Sequence, residues 1–317
     1  MTGHVKYHTF HNCVDYIAHR KNVVVNAGLL VIKSRFSISS RSPKYVLTRF
    51  LLQEVNSLRM KDKVAIVTGG GKEIGRAISL AFAAEGAIVV MAARDLSSMK
   101  DTAKEIESIG GRADAVMTDV RYEDQIKNMV AHVLSKFSRI DVLVNNSGVT
   151  GPTANLADID LNDWNDVMAI NLTGPMLCAR EVIKPMMAAR KGSIINIGSE
   201  GGRSGYPMRG PYSVSKRGVI ALTETLAIEA GEYNVRVNCI SPGRVRGERV
   251  EKIARAKAES SGFAYDDVMA GMSIDCSLKR LVEAPEVAAA AVFLASDESS
   301  AITGHTLVVS CGKHILH

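Results

Sequence analysis

Among the residues able to do chemistry, one pair stands out by its spacing: Tyr212 and Lys216. The chain has eight tyrosines, and only Tyr212 is followed by a lysine four positions later. In a helix, positions i and i+4 share a face, so a phenol and an ammonium there reach one pocket. A free phenol ionises near pH ~10, too high to exchange protons readily at neutral pH, and a nearby cation favours the phenolate. Such a pair can give a proton to a hydroxyl-bearing substrate or take one from it. Ser199, upstream on the same stretch, offers a hydroxyl to hold the reacting oxygen. On an exposed helix the same spacing would be a surface tyrosine and a solvated lysine. The surrounding elements decide between the two.

Val64 to Thr68 is a short apolar run that stops at Gly69-Gly70-Gly71, and helical periodicity begins around Gly75 with Ala77, Ile78, Leu80 and Ala81. A strand, a glycine turn and a helix N-terminus can cradle a pyrophosphate with backbone N–H groups and the helix dipole. Further strands are predicted at Ala87–Ala92, Ala113–Thr118, Ile140–Val144, Ser193–Ile197, Val235–Ile240 and Thr306–Ser310. Helices are predicted at Ser97–Ile109, Tyr122–Phe137, Trp164–Arg190, from before Tyr212 to about Glu232, and at Pro285–Ala295. The charged segment 246–280 is helix-prone and broken at Ser260-Ser261-Gly262. Strands alternating with helices of this length predict an α/β fold with a parallel sheet covered on both faces.

Composition narrows the classes. An apolar content of 46% and a charged content of 23% are ordinary for a globular protein. The net charge of +6 is not spread evenly. Residues 1–59 hold nine Lys/Arg against Asp15 and Glu54, whereas the remainder is nearly neutral. Nucleic-acid binding is therefore not expected of the body of the chain. Cys13, Cys178, Cys239, Cys276 and Cys311 are scattered, which fits a reducing, cytoplasmic setting and argues against a disulfide framework or a zinc site. No apolar run approaches the ~18 residues of a membrane span.

Residues 1–59 read differently from the rest. They are basic and contain His4, His8, His11 and His19, of which His4 and His8 could share a helical face as metal ligands. No carboxylate or cysteine lies within four positions of His4 or His8, and no metal is expected. Asn22 to Ile32 is too short to span a membrane and too far from the start for a signal peptide. Met60-Lys61-Asp62-Lys63 leads directly into the first strand. The expectation is a single domain over 60–317, preceded by a poorly ordered or dispensable extension that is either transit-like or upstream of the true start.

With these motifs in order, residues 60–317 resemble the short-chain dehydrogenase/reductases. The resemblance rests on the glycine turn at 68–75, Asp119, the segment Asn145-Asn146-Ser147-Gly148, Asn171, Ser199, Tyr212 with Lys216, and Pro242-Gly243. It implies a doubly wound, Rossmann-type sheet of seven parallel strands with the cofactor at the C-terminal strand ends. It also implies a catalytic set of Asn171, Ser199, Tyr212 and Lys216. Tyr212 would be the acid/base and Ser199 would orient the oxygen. Lys216 would favour the phenolate and hold the ribose, and Asn171 would keep a relay water. The cofactor would meet Gly69, Gly71, Lys72, Ile74 and Gly75, then Arg94, Asp119, Val120, Asn146, Gly148, Tyr212, Lys216, Pro242 and Gly243.

A carboxylate after the second strand would accept bonds from both adenosine ribose hydroxyls and favour NAD(H). This chain has Ala93 there, followed by Arg94, and Lys72 stands in the glycine turn. Two cations favour a 2′-phosphate, so NADP(H) is expected over NAD(H), although Asp95 could neutralise Arg94. Three positions depart from the family pattern. Glu73 replaces the middle glycine of the turn and must point outward to spare the pyrophosphate. Ser147 replaces an alanine, and Ser310-Cys311-Gly312 replaces the usual Asp-Gly-Gly in a region that commonly supports subunit contact. The resemblance otherwise suggests a homotetramer or homodimer.

Arg244, Arg246 and Arg249 follow Pro242-Gly243, with Arg203 and Arg209 upstream of Tyr212. They could bind a carboxylate or phosphate on a substrate, or pair with Glu248 and Glu251 at the surface. Tyr206, Pro207 and Met208 could form an apolar wall. The leading expectation is an oxidoreductase acting on a small secondary alcohol or ketone. The alternatives are a 3-oxoacyl-thioester reductase and a non-catalytic binding protein whose cofactor site is disabled by Glu73. Fold alone does not choose among them.

Overall fold

Five consecutive residues, Val64–Thr68, form β1, and all five are buried. That pattern belongs to a strand covered on both faces. In this computed structural model, residues 58–313 are described, and the expectations for the leader lie outside them. The strand β1 pairs in parallel with β2 (Ile88–Ala93) on one side and β4 (Val142–Asn145) on the other. With β3 (Arg112–Met117), β5 (Gly192–Ile197), β6 (Val235–Pro242) and β7 (Thr306–Val309), they make a seven-stranded sheet. Its order is β3-β2-β1-β4-β5-β6-β7, and each adjacent pair is parallel. The order reverses between β1 and β4, which opens a crevice at their C-terminal ends.

The helices in chain order are α1 (Glu73–Ala84), α2 (Leu96–Ser108), α3 (Glu123–Phe137), α4 (Leu161–Met168), α5 (Gly174–Ala188), α6 (Gly210–Gly231), α7 (Glu248–Ser261), α8 (Tyr265–Gly271) and α9 (Ala284–Ala295). The two-residue period of a strand sends Ala65 and Val67 to one face of the sheet and Val64 and Ile66 to the other. On the first face Ile78 and Phe82 of α1, Met99 and Ile106 of α2, and Val287 and Leu294 of α9 complete a core. On the second, Ile126 and Met129 of α3, Leu177 and Met186 of α5, and Ala227 of α6 do the same. Each large side chain so buried contributes roughly 1.5–3 kcal/mol.

Two regions differ from the sequence expectation. The helix predicted over Trp164–Arg190 is interrupted by a π turn at Ala169–Thr173, where the N–H of Gly174 bonds to the carbonyl of Ala169 five residues back. The reason is in the sequence. Pro175 has no N–H to close an α-type bond onto the carbonyl of Asn171, so the regular ladder fails there. The segment 246–280 resolves into α7 and α8, separated at Gly262, whose φ of +73° ends α7 in a left-handed cap. Their small core of Val250, Ala254, Val268, Met269 and Leu281 stands apart from the two sheet cores.

Candidate active site

The glycine turn is built by close approach. A Cβ on Gly75 would lie 2.0 Å from the carbonyl oxygen of Gly69 and 2.6 Å from Asn146 Nδ2. No residue but glycine fits, and the first turn of α1 is pressed onto the end of β1. Asn146 Nδ2 donates to the carbonyls of Thr68 (3.0 Å) and Gly69 (3.3 Å). The Thr68 hydroxyl accepts from the N–H groups of Asn146 and Ser147 at 2.9 and 3.0 Å. The ends of β1 and β4 are thereby locked together beside the N-terminus of α1. Glu73 has φ +44°, a region that costs a residue with a Cβ and suits glycine. Its side chain is exposed, and Oε1 lies 3.3 Å from the position a Cβ on Gly247 would take.

The π turn delivers Asn171, which is fully buried. Its Oδ1 accepts from the N–H of Val149 (2.8 Å), and its Nδ2 donates to the carbonyl of Val149 (2.8 Å) and to Ser215 Oγ (3.1 Å). Ser215 in turn donates to the carbonyl of Tyr212 (2.8 Å). The amide is therefore occupied by protein groups. It fixes the strand-end segment Gly148–Val149 to the first turn of α6.

Ser199 leaves the end of β5 in extended conformation and caps the 3₁₀ turn Glu200–Gly202, its Oγ accepting from the N–H of Gly201 at 3.1 Å. Tyr212 and Lys216 lie one turn apart on α6, which has Pro211 in its first turn. Lys216 is buried, and its Nζ donates to the carbonyl of Ile197 (2.7 Å) and lies 6.0 Å from the centre of the Tyr212 ring. Ser213 Oγ ties the same helix to the carbonyl of Gly201 at 2.6 Å. The turn after β5 and the start of α6 thus form one unit carrying all three groups.

At the far end of the crevice Lys72 pairs with Asp95 at 2.6 Å, and this pairing holds the Asp95 carboxyl below its usual value. The sequence expectation set Asp95 against Arg94; in the fold Asp95 instead binds Lys72 and caps α2 through the N–H of Ser98. Arg94 is exposed and makes no hydrogen bond or ion pair among the described residues. Asp119 is held by Arg121 at 2.7 Å, which keeps its carboxyl below the usual range.

Most of the arginines near the substrate segment have structural partners. Arg246 pairs with Glu283 (2.9 Å) rather than with Glu248 or Glu251. Arg244 bonds to the carbonyl of Met272, and Arg209 braces the loop at the carbonyl of Gly151 (3.1 Å). Arg203 is exposed on the wall of the cleft, and the side chain of Arg249 lies outside the described residues. The buried thiols of Cys178 and Cys239 are pushed up by burial to about 12 and about 11, so neither offers a thiolate near neutral pH.

These groups line a cleft of ≈ 1070 Å³, at the upper end of the roughly 300–1,000 Å³ of ligand pockets. Gly69, Lys72, Ile74, Gly75, Asn146, Gly148, Ser199, Tyr212, Lys216, Pro242 and Gly243 are on its walls. Asn171 stands behind Gly148. Gly71 packs on Ser98 and Met99, Val120 is buried under Gly174, and Arg94 and Asp119 lie off the wall. Sequence reasoning missed Thr68 and Ser215, which brace the site, and Glu200, which lines it. Ser215 was visible as the serine before Lys216 and Glu200 as an acid at a strand end, but only contacts show their use.

A sequence model of the family described as enoyl-(acyl carrier protein) reductase matches residues 70–314. The 3-oxoacyl-[acyl-carrier-protein] reductase of Thermotoga maritima is 36% identical over 255 residues, spanning 80% of this chain and 99% of that protein. Among solved structures, an NAD+-bound xylitol dehydrogenase superposes with a TM-score of 0.74 at 32% identity, covering 79% of this chain and 98% of that one. An actinorhodin polyketide ketoreductase with NADPH gives 0.75 at 31% identity, covering 80% and 97%.

Proposed function

The chain belongs to the short-chain dehydrogenase/reductase family, and from that premise we propose that it is an NADP(H)-preferring oxidoreductase acting on a small secondary alcohol or ketone, with Tyr212 as the acid/base. The observation that carries this reading is the gathering of Ser199, Tyr212 and Lys216 on one wall of a cleft that ends in a glycine turn. That turn fits a dinucleotide. Gly75 leaves no side chain between β1 and α1, and the N-terminus of α1 opens on the cleft. Gly69, Ile74, Asn146, Gly148, Pro242 and Gly243 would hold the cofactor along it, and the bound nicotinamide supplies or accepts the hydride.

The remaining work falls to this chain. Ser199 Oγ accepts from Gly201, which leaves its own proton to donate to the substrate oxygen. Tyr212 gives its proton to that oxygen in reduction and takes one back in oxidation. The buried ammonium of Lys216, steadied by the Ile197 carbonyl, stabilises the phenolate that forms and stands ready for ribose hydroxyls. The side chain of Asn171 is taken up by Val149 and Ser215. A relay water would therefore rest on its main-chain carbonyl, which Pro175 leaves without an α-type donor.

Lys72 and Arg94 support the preference for a 2′-phosphate, as does the ketoreductase solved with NADPH; the NAD+-bound xylitol dehydrogenase is the counterweight. The acyl-carrier-protein reductase of Thermotoga maritima keeps a second reading in view, reduction of a 3-oxoacyl thioester. A cytoplasmic homo-oligomer completes the proposal; apolar side chains at the surface of α5 and α6, Met176, Val214 and Ile228, support the oligomer.

Tyr212→Phe tests the reading. Turnover should fall at least ~100-fold while the Kd for NADPH, followed by fluorescence titration, stays unchanged. Turnover equal to that of the parent chain removes the acid/base assignment. If neither NADPH nor NADH binds the parent chain, the binding-protein alternative replaces the enzyme.

A further inference from the structure

Glu200 directly follows Ser199 and faces the same cleft. Both of its carboxylate oxygens are shielded from solvent, and neither has a hydrogen-bond partner among the described residues. It sits where β5, β6 and β7 end side by side. Oε2 is 3.3 Å from the position of a Cβ on Gly243, and that same position is 2.9 Å from Ser310 Cα. The cations around it have other bonds. Lys216 donates to the Ile197 carbonyl, Arg244 to the Met272 carbonyl, and Lys313 pairs with Asp275 at 2.6 Å. Arg203 is exposed on the cleft wall and gives Glu200 no hydrogen bond. A carboxylate stripped of water and of protein donors is costly unless a donor is brought to it. Its place beside the serine that would hold the reacting oxygen points to the substrate as the source of that donor.

We propose that Glu200 is a specificity-determining residue that accepts a hydrogen bond from a hydroxyl on the carbon next to the reacting one, making polyols and hydroxyketones the preferred substrate class. The proposal rests on the reading of Ser199 and Tyr212 given above. Chemistry at the neighbouring carbons separates the candidates. A plain alkyl ketone brings no donor and leaves the carboxylate unpaired. A 3-oxoacyl thioester brings only carbonyl oxygen and sulfur near its keto carbon, and these meet the carboxylate as acceptor against acceptor. A hydroxyl supplies the missing donor, and an ammonium would supply it with charge.

The test uses the full chain with NADPH, comparing 1-hydroxy-2-butanone with 2-butanone and aminoacetone as the ammonium probe. The parent chain should favour the hydroxyketone in kcat/KM by roughly 10- to 100-fold. Glu200→Leu should erase that preference while leaving 2-butanone turnover and the NADPH Kd within about threefold. Glu200→Gln, which keeps one acceptor oxygen, should retain part of it. A parent chain without the preference, an equal loss on both ketones, or a matching change in NADPH affinity overturns the proposal. A preference for aminoacetone alone also overturns it and assigns the site to an ammonium. Calorimetric binding of 1,2-butanediol against 2-butanol to the NADP+-loaded chain keeps the question separate from catalysis. There a diol preference lost in Glu200→Leu supports the proposal even where no ketone turns over, an outcome that would instead count against the acid/base reading. Equal binding of the two alcohols rejects it.

Discussion

Gly202→Ala should cripple catalysis without replacing any group that does chemistry. The 3₁₀ turn Glu200–Gly202 lies against the second turn of α6 so closely that a Cβ on Gly202 would be 2.6 Å from the Lys216 carbonyl carbon and 2.8 Å from the Arg217 nitrogen. Both are backbone atoms, so no side chain can swing aside. Ordinary contact begins near 3.4 Å, so α6 must retreat from the turn by about 0.8 Å. The retreat carries Tyr212 and Lys216 away from Ser199 and stretches the 2.6 Å bond from Ser213 to the Gly201 carbonyl towards the limit of a hydrogen bond. Overpacking of this kind costs about 1–3 kcal/mol, and a misplacement near 1 Å costs on the order of 100-fold in rate. Steady-state kinetics should show kcat reduced ~30- to 100-fold, and thermal melting should register the lost stability. The NADPH Kd should rise too, because Lys216 moves with α6, but by less than kcat falls, because the glycine turn that would hold the cofactor lies on β1 and α1. Gly231→Ala, at the other end of α6 with nothing within 4 Å of the new methyl, is the control and should leave kcat unchanged. If Gly202→Ala retains a third or more of parental kcat, the rigid unit of β5 turn and α6 is not what positions the tyrosine.

The other expectations concern cofactor choice and pH. Arg94→Ala should lower the preference for NADPH over NADH about tenfold, roughly 1.4 kcal/mol, and Lys72→Ala should lower it less, because Lys72 already shares its charge with Asp95. Fluorescence titration with both dinucleotides decides this; an unchanged ratio in the Arg94 variant assigns the preference elsewhere. The Glu286 carboxyl, bonded to Arg280 and to the N–H of Glu283, is held down to about 2. A depressed carboxylate contributes stability that is present above its ordinary value of 4.5 and is lost as pH falls through the folded value. The pair is partly exposed, so the effect should be small. The gap in Tm between the parent and Glu286→Gln should be widest near neutral pH and close as pH falls from 4.5 towards 2. A gap that stays constant with pH would separate the capping role of Glu286 from its charge.

Much of this architecture is written locally. The continuous apolar run Val64–Thr68 and its glycine stop predict a buried parallel strand feeding a helix, and the fold contains both. The interruption at Asn171 was legible too, since Pro175 removes the donor for that carbonyl; reading periodicity alone ran one helix through it. Long-range pairing was not legible. Asp95 sits next to Arg94 in sequence, yet the N-cap geometry of α2 turns its carboxylate to Lys72. Likewise Arg209 and Arg246 read as cations for a substrate anion or for Glu248 and Glu251, because their partners Gly151 and Glu283 arrive only when distant loops close upon them.

Glu73 shows most clearly what sequence can and cannot say about a site. Its identity announces a departure from the family's glycine, and the observed φ of +44° explains why glycine is the natural occupant. From the residue alone, the carboxylate threatens any pyrophosphate at the start of α1. The direction it takes is set by a segment more than a hundred and seventy positions later, because Gly247, lacking a side chain, leaves room beside Oε1 at the mouth of the cleft. The first turn of α1 therefore lies close to the segment that leads into α7. In the fold that carboxylate lines the cleft, so the residue that reads as damage to a pyrophosphate site also stands between the glycine turn and the segment that leads into α7.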